Sequence, residues 1–220
     1  MIPVVLAPEP KSFDKTVRQP GLAAIDELVG RAPRVRRRGT RRKQVANTES
    51  MIPADKFPPI WRKCIDHMMQ AYEQRCAYLA MFIEDTGNPT VDHVTPKSFA
   101  WDQVYEWSNY RLCAGVVNSK KGELLGLVDP IDAKRGWFEL DLASYRVVRG
   151  AQAPKAHHAK IDATLPLLNQ RDCCLQRKRY VEDYWLGPGA KGIDITYLEH
   201  RAPFIAAELR RQGRLVRGDA

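Results

Sequence analysis

The chain reads Val91-Asp92-His93-Val94-Thr95-Pro96-Lys97 near its middle, and this stretch decides the fold and function that we expect. Asp92 offers a hard carboxylate oxygen beside His93, whose imidazole titrates near neutral pH. Two asparagines follow this stretch. Asn109 lies sixteen residues after His93, and Asn118 lies nine residues after Asn109. An acid beside a titratable base suits hydrolysis of a phosphodiester with the help of a divalent cation.

Residues 76–122 resemble the HNH endonucleases, whose ββα-metal motif has the same residue types at about the same intervals. The flanking sequence is also similar, and it comprises Pro96-Lys97, Trp107, Arg111-Leu112 and Lys121-Gly122. The resemblance implies metal-dependent cleavage of DNA in which His93 is the general base. It also implies that Asp92 and Asn118 hold one divalent cation and that Asn109 fixes the loop carrying the base.

The oxygen ligands implied by this resemblance favour Mg²⁺ or Mn²⁺ over Zn²⁺. Many HNH domains also carry a structural zinc bound by two Cys-x-x-Cys knuckles. The corresponding stretches here read Cys76-Ala77-Tyr78-Leu79 and Cys113-Ala114-Gly115-Val116, with one cysteine in each. Two thiols do not complete a four-coordinate site, so we expect no structural zinc and apolar packing in its place. Gly122 stands where some HNH nucleases have a further histidine ligand, so water and phosphate would complete the coordination.

The expected fold is α+β, with a ββα-metal (HNH) core in residues 51–130. The apolar run at 76–83 predicts a first strand, and residues 90–94 predict a second strand that ends with the Asp-His pair. A helix over 114–125 would carry Asn118 back against this hairpin. Because side chains alternate along a strand, the acid and the base would point to opposite faces unless the backbone bulges.

The segments on either side of this core are predicted to differ in structure. Residues 1–50 are predicted to be an extended basic N-terminal arm, because five prolines interrupt helical periodicity there. The apolar spacing at 22–29 allows a short helix, and we expect the arm to order only against another surface. An amphipathic helix is predicted at 61–72. Residues 131–220 are predicted to form a small hairpin and then a mainly helical region.

The charge balance points to a polyanionic partner, because 35 Lys and Arg against 26 Asp and Glu leave a formal net charge of +9. Such an excess attracts polyanions through release of their counterions, so nucleic acid is the first partner to consider. Beside the motif, the predicted phosphate contacts are Lys97, Lys120 and Lys121. Further contacts are predicted from the arginine run, namely from Arg36, Arg37, Arg38, Arg41 and Arg42. A solvated tail, or a docking segment for an acidic partner protein, is the alternative for this run.

The composition and the first residues of the chain indicate the cellular compartment in which we expect the protein. No apolar run is long enough to span a bilayer, and the first eight residues lack the basic start of a secretion signal. The chain has five cysteines, an odd number that cannot all pair in disulfides within the chain, and this favours reduced thiols. We therefore expect a cytoplasmic protein without a membrane partner.

Three functions are compatible with the sequence. The first is a DNA endonuclease that acts by itself. The second is a nuclease subunit that is inactive alone, because layout and size resemble the small HNH subunits of bacterial antiphage systems such as Septu-type pairs and some retrons, where an ATPase partner is typical. The third is a non-catalytic nucleic-acid-binding module that keeps a relic site. Cleavage of supercoiled plasmid by a lone monomer would favour the first over the other two.

Overall fold

The structure is a computed structural model, and it describes residues 1–35, 39–84, 86–188, 192–216 and 218–219. Within these ranges it is an α+β structure, with helices and two small antiparallel sheets. The chain divides into two compact units, here named the motif unit (6–72 and 88–125) and the helical unit (1–5, 73–87 and 126–220). This grouping differs from the three consecutive segments 1–50, 51–130 and 131–220 that we expected.

The N-terminal part of the motif unit is helical, where an extended arm was expected. A π-helical turn, Asp14–Arg18, runs directly into α1, Gln19–Leu28. Pro20 is the second residue of α1 and follows the π-helical turn without a break in helical conformation. The buried residues include Val17, Ala24, Ile25 and Leu28, so this segment contributes to the core of the unit. Pro20 therefore does not interrupt the helical run that begins at Asp14, and the segment is not extended.

The expected helix at 61–72 begins as a 3₁₀ turn. Ile60–Cys64 form that turn, and α2 follows at Ile65–Ala71. Trp61 and Met68 are buried, as the amphipathic pattern predicted.

Two strands and a helix then carry the motif residues. β1, Pro89–His93, pairs antiparallel with β2, Tyr110–Ala114, and α3, Gly115–Lys121, follows β2 directly. The predicted strand at 90–94 is thus confirmed within one residue. The helix is shorter than the predicted 114–125, because Gly122 adopts φ +49° and ψ −120°, a conformation that favours glycine and ends α3.

The strand predicted at 76–83 is wrong. The described residues there form tight turns closed by one isolated bridge between Arg75 and Phe82. Cys76 donates its backbone N–H to Met81 O at 2.9 Å, and Ala80 has a positive φ of 49°. Every residue from Cys76 to Met81 is buried, and a short run that is apolar throughout does not distinguish a strand from a buried loop. β1 therefore pairs with the segment that follows it in the chain.

The helical unit matches the sequence prediction more closely. β3, Phe138–Asp141, and β4, Arg146–Arg149, form the predicted hairpin. The α-helices that follow among the described residues are α4 at His158–Leu168, α5 at Arg171–Leu186, α6 at Ile195–Arg201 and α7 at Pro203–Arg211. Their buried residues include Ile161, Val181, Tyr184, Ile205 and Leu209, whereas Trp185, which follows Tyr184 in α5, is exposed. No helix among the described residues combines the length and apolar character needed to cross a membrane.

Candidate functional site

β1 presents Asp92 and His93 on opposite faces. The pairing runs without interruption from Pro89 opposite Ala114 to His93 opposite Tyr110, so the strand has no bulge. Side chains of neighbouring residues therefore alternate between the two faces of the sheet. The two residues nevertheless border one cleft of about 690 Å³ in the motif unit, which Asn118 and Lys97 also line.

His93 is held in one tautomer by a backbone carbonyl. Its Nε2 lies 3.0 Å from Val104 O. Because a carbonyl oxygen only accepts hydrogen bonds, Nε2 must carry the proton, and the lone pair is on Nδ1. Nδ1 has no hydrogen-bond partner among the described residues. The ring is enclosed by Trp61 and Tyr110, with centroid separations of 4.8 and 5.2 Å.

The surroundings of His93 keep its imidazole neutral. Burial lowers the pKa of His93 from 6.5 to about 4, and the nearby charges of Lys97 and Lys121 act in the same direction. The hydrogen bond to Val104 O opposes this shift but is the smaller influence. A neutral imidazole with a free Nδ1 is a proton acceptor at cellular pH.

Asn109 organises the loop that follows β1. Its Oδ1 accepts from Thr95 N at 2.7 Å, and its Nδ2 donates to Thr95 O at 3.0 Å and to Gln103 O at 3.1 Å. The buried amide of Asn109 thus joins two parts of this loop, at Thr95 and at Gln103. Gln103 directly precedes Val104, so this amide also positions the carbonyl that His93 uses. Asn109 therefore holds this loop in place through hydrogen bonds at both ends of its amide.

Asn118 has its amide orientation set by β1. Nδ2 donates to Thr90 Oγ1 at 3.1 Å and to Val91 O at 3.3 Å. The hydroxyl of Thr90 itself donates to Cys113 O, so it accepts from Asn118. Oδ1 of Asn118 is left without a partner among the described residues, in a side chain that borders the cleft. It is the type of oxygen that a hard cation binds.

Asp92 is paired with a lysine that we had expected at the surface. Lys121 Nζ lies 3.0 Å from Asp92 Oδ1, and each side chain is only 2% exposed. The same ammonium donates to His93 O at 2.8 Å. The prediction that Lys121 contacts nucleic acid is therefore wrong for this conformation, because the ammonium is buried inside the unit. The sequence does not predict that Lys121 is buried, because Lys120 and Lys121 are neighbours with the same charge. They differ only in the direction in which each side chain leaves α3.

The cleft is bordered by charges of both signs. Lys97 is half-buried, and its ammonium lies 4.8 Å from the centroid of the Trp61 ring. Burial lowers the pKa of Lys97, and the negative charges of Glu123 and Asp55 oppose that shift. Arg62, Asp55 and Glu123 line the cleft as well and were missed in the sequence, where nothing in their spacing connects them to the motif.

Two side-chain oxygens of the kind that a divalent cation binds come from residues that border the cleft. Asp92 and Asn118 supply one carboxylate and one amide oxygen at the cleft. Across the part of the chain that the structure describes, no three His, Cys, Asp or Glu side chains group as a metal site. The Asp92 carboxylate is already engaged by Lys121, so it would have to exchange this ammonium for the cation.

The basic residues outside the motif occupy different environments. Lys120 is exposed. Arg42 pairs with the buried Glu27 at 2.9 Å, and Arg41 donates to the carbonyl oxygens of Gly30 and Arg31. These two arginines therefore hold the loop after α1 in place. The remaining predicted contacts, Arg36, Arg37 and Arg38, lie outside the described residues.

The charge excess is concentrated in the unit that holds the cleft. The motif unit contains eighteen Lys and Arg against eleven Asp and Glu, a net charge of +7. The helical unit contains seventeen against fifteen, a net charge of +2. Attraction of a polyanion would thus act mainly on the motif unit.

Comparison of the chain with protein-family models, with curated proteins and with solved structures finds no match.

Proposed function

We propose that the protein is a metal-dependent endonuclease of the HNH type that hydrolyses phosphodiester bonds of DNA. The observation that carries this proposal is His93 at the end of β1. Its proton is fixed on Nε2 by Val104 O, and the lone pair of Nδ1 is free in a side chain that borders the cleft. The order β1, β2, α3 agrees with a ββα arrangement, and the +7 charge of the motif unit agrees with a DNA substrate.

In the proposed reaction, Nδ1 of His93 removes a proton from water, and the hydroxide attacks phosphorus while the P–O bond to the leaving oxygen breaks. The leaving oxygen takes a proton from solvent. Proton removal leaves an imidazolium whose Nε2–H still points at Val104 O, so the ring need not turn. Asn109 keeps Val104 O in position for His93 through its hydrogen bonds to the backbone of Thr95 and Gln103. A cation held by Asp92 and Asn118 would stabilise charge on the phosphate and on the leaving oxygen.

Lys97 is the best-placed cation for the substrate phosphate. It lies on the cleft wall over Trp61, and partial burial makes its ammonium a stronger electrostatic partner than a solvated one. Arg62 lines the same cleft and adds a second positive charge. Contacts of this kind position a backbone without reading its sequence.

Supercoiled plasmid incubated with the protein and Mg²⁺ or Mn²⁺ tests the proposal. We expect nicked or linear product from the wild type, and a rate lower by roughly 10²–10⁴ for His93→Ala. His67→Ala is the matched control, because this exposed histidine of α2 lies in the same unit and does not line the cleft. Equal rates for wild type and His93→Ala would refute the proposed role of His93.

One observation favours a second candidate, a nucleic-acid-binding module without catalysis. The carboxylate of Asp92 is neutralised within the protein by Lys121, as it would be in a site that no longer binds a cation. Salt-sensitive DNA binding without a calorimetric Mg²⁺ or Mn²⁺ signal would support this candidate. The ATPase partner, the antiphage role and the cytoplasmic location stay predictions from the sequence.

A further inference from the structure

Lys121 connects α3 to β1 through two contacts. Its ammonium lies 3.0 Å from Asp92 Oδ1 and 2.8 Å from His93 O, and the side chains of both Lys121 and Asp92 are 2% exposed. On β2, Arg111 stands directly opposite Asp92 and is buried too. Opposed residues of an antiparallel pair share a face of the sheet, so a second positive charge lies on the Asp92 side.

This environment opposes a divalent cation at Asp92. Two like charges within a few ångströms repel strongly where water is excluded. Among the described residues, Asp92 borders the cleft and Lys121 does not. A cation would thus reach Asp92 from the cleft while the ammonium holds the same carboxylate from the α3 side. A carboxylate shared with an ammonium is a weaker ligand than one that is free.

We propose that Lys121 is an internal counter-ion that competes with the divalent cation for Asp92, so that cation binding requires the ammonium to leave this carboxylate. The inference rests on the proposed function, in which Asp92 is a cation ligand. In the free protein the ion pair keeps Asp92 from being an uncompensated buried charge. In the cation-bound protein that compensation comes from the cation. Lys121 is therefore a positioning residue that sets cation affinity.

Calorimetric titration of the cation-free protein with Mn²⁺ measures this competition. Lys121→Gln removes the competing charge and keeps a polar group of similar length, so its Mn²⁺ affinity should rise on the order of tenfold. Lys121→Arg keeps the charge and should retain the weak affinity of the wild type. Lys63→Gln is the matched control for loss of one positive charge, since Lys63 is exposed in the same unit. Thermal melts establish that each variant is folded.

A second measurement uses the wild type and does not depend on a variant that folds. Acetic anhydride modifies accessible amines, and peptide mass spectrometry separates Lys120 from Lys121. Without a divalent cation, the buried Lys121 should resist acetylation while the exposed Lys120 reacts. Saturating Mn²⁺ should increase modification of Lys121 and leave Lys120 unchanged. Continued protection of Lys121 at saturating Mn²⁺ would overturn the competition.

The results separate this inference from the proposed function. Equal or weaker Mn²⁺ affinity in Lys121→Gln overturns the competition, while plasmid cleavage that depends on His93 still supports the nuclease. Absence of a Mn²⁺ signal from both wild type and Lys121→Gln also overturns it. Loss of the signal in Asp92→Asn supports the ligand assignment on which the competition rests. Tighter binding in Lys121→Gln without any plasmid cleavage supports the competition and counts against the nuclease.

Discussion

Nε2 of His93 donates to the carbonyl oxygen of Val104 at 3.0 Å, and this contact joins the end of β1 to a loop residue eleven positions later. It decides the tautomer of the imidazole and leaves Nδ1 as the basic nitrogen. The ring is buried, so the protein stabilises its neutral form over its charged form.

The depressed pKa of His93 predicts a loss of stability in mild acid. The folded protein titrates His93 near pH 4 and the unfolded chain near 6.5, so the unfolded state binds a proton first as the pH falls. This contribution is complete above pH 6.5 and is lost as the pH falls towards 4. A shift of this size corresponds to about 3 kcal/mol. Urea denaturation in cation-free buffer at pH 7 and pH 4.5 measures it. His93→Gln should lose less stability over that interval, and an identical loss would contradict the assignment.

Replacement of Asn109 should weaken both the fold and the reaction. Asn109→Ala removes three hydrogen bonds to Thr95 and Gln103, and each buried group left unpaired costs about 1–3 kcal/mol. Asn109→Asp keeps the acceptor for Thr95 N and loses the two donated bonds, so it should be impaired as well. Denaturation gives the stability change, and plasmid cleavage gives the rate. Two variants as stable and as active as the wild type would show that the loop does not need this amide.

The close approach of α1 to Tyr105 predicts an effect of Gly21→Ala. A Cβ at Gly21 would overlap the ring of Tyr105, which is buried and donates its hydroxyl to Pro58 O at 2.9 Å. Overpacking of this kind costs about 1–3 kcal/mol. If the overlap is the cause, the cost should be smaller when Gly21→Ala is combined with Tyr105→Leu. Additive effects of the two changes would contradict the contact.

Arg42 is expected to affect stability because its partner is buried. Glu27 is 3% exposed, and Arg42→Gln would leave its carboxylate without the ion pair at 2.9 Å. We expect a loss of about 1–3 kcal/mol in the free energy of unfolding. The double variant with Glu27→Gln should recover part of this loss. Unchanged unfolding of Arg42→Gln would show that the ion pair does not hold the loop.

Lys120 is expected to affect DNA binding and leave stability unchanged. It is exposed, so Lys120→Gln should alter unfolding by less than about 0.5 kcal/mol. If its ammonium contacts a phosphate, the slope of log affinity against log salt should fall by about one. Fluorescence anisotropy with labelled duplex DNA at several salt concentrations measures that slope. A slope equal to that of the wild type would remove Lys120 from the interface.

Part of this structure could be predicted from local sequence patterns. Residues 90–94 lie between Gly87-Asn88-Pro89 and Pro96, and they form β1 within one residue. The hairpin and the later helices were predicted from a periodicity that is visible within each segment. The apolar run at 76–83 was predicted to be a strand. It forms buried turns, and an uninterrupted apolar run is compatible with either structure. Pro20 was interpreted as a break, whereas it lies within a helical run that begins at Asp14.

The sequence by itself determined which chemical groups the protein has and how far apart they lie along the chain. It placed Asp92, His93 and Asn118 on a strand and a helix that meet. Only the tertiary structure decided that Val104 O sets the tautomer of His93 and that Lys121 neutralises Asp92. The physical reason is that spacing and periodicity report local conformation, whereas a hydrogen bond or ion pair depends on which distant groups share a face. In this protein, such partners set the ion pairing of Asp92 and the tautomer of His93.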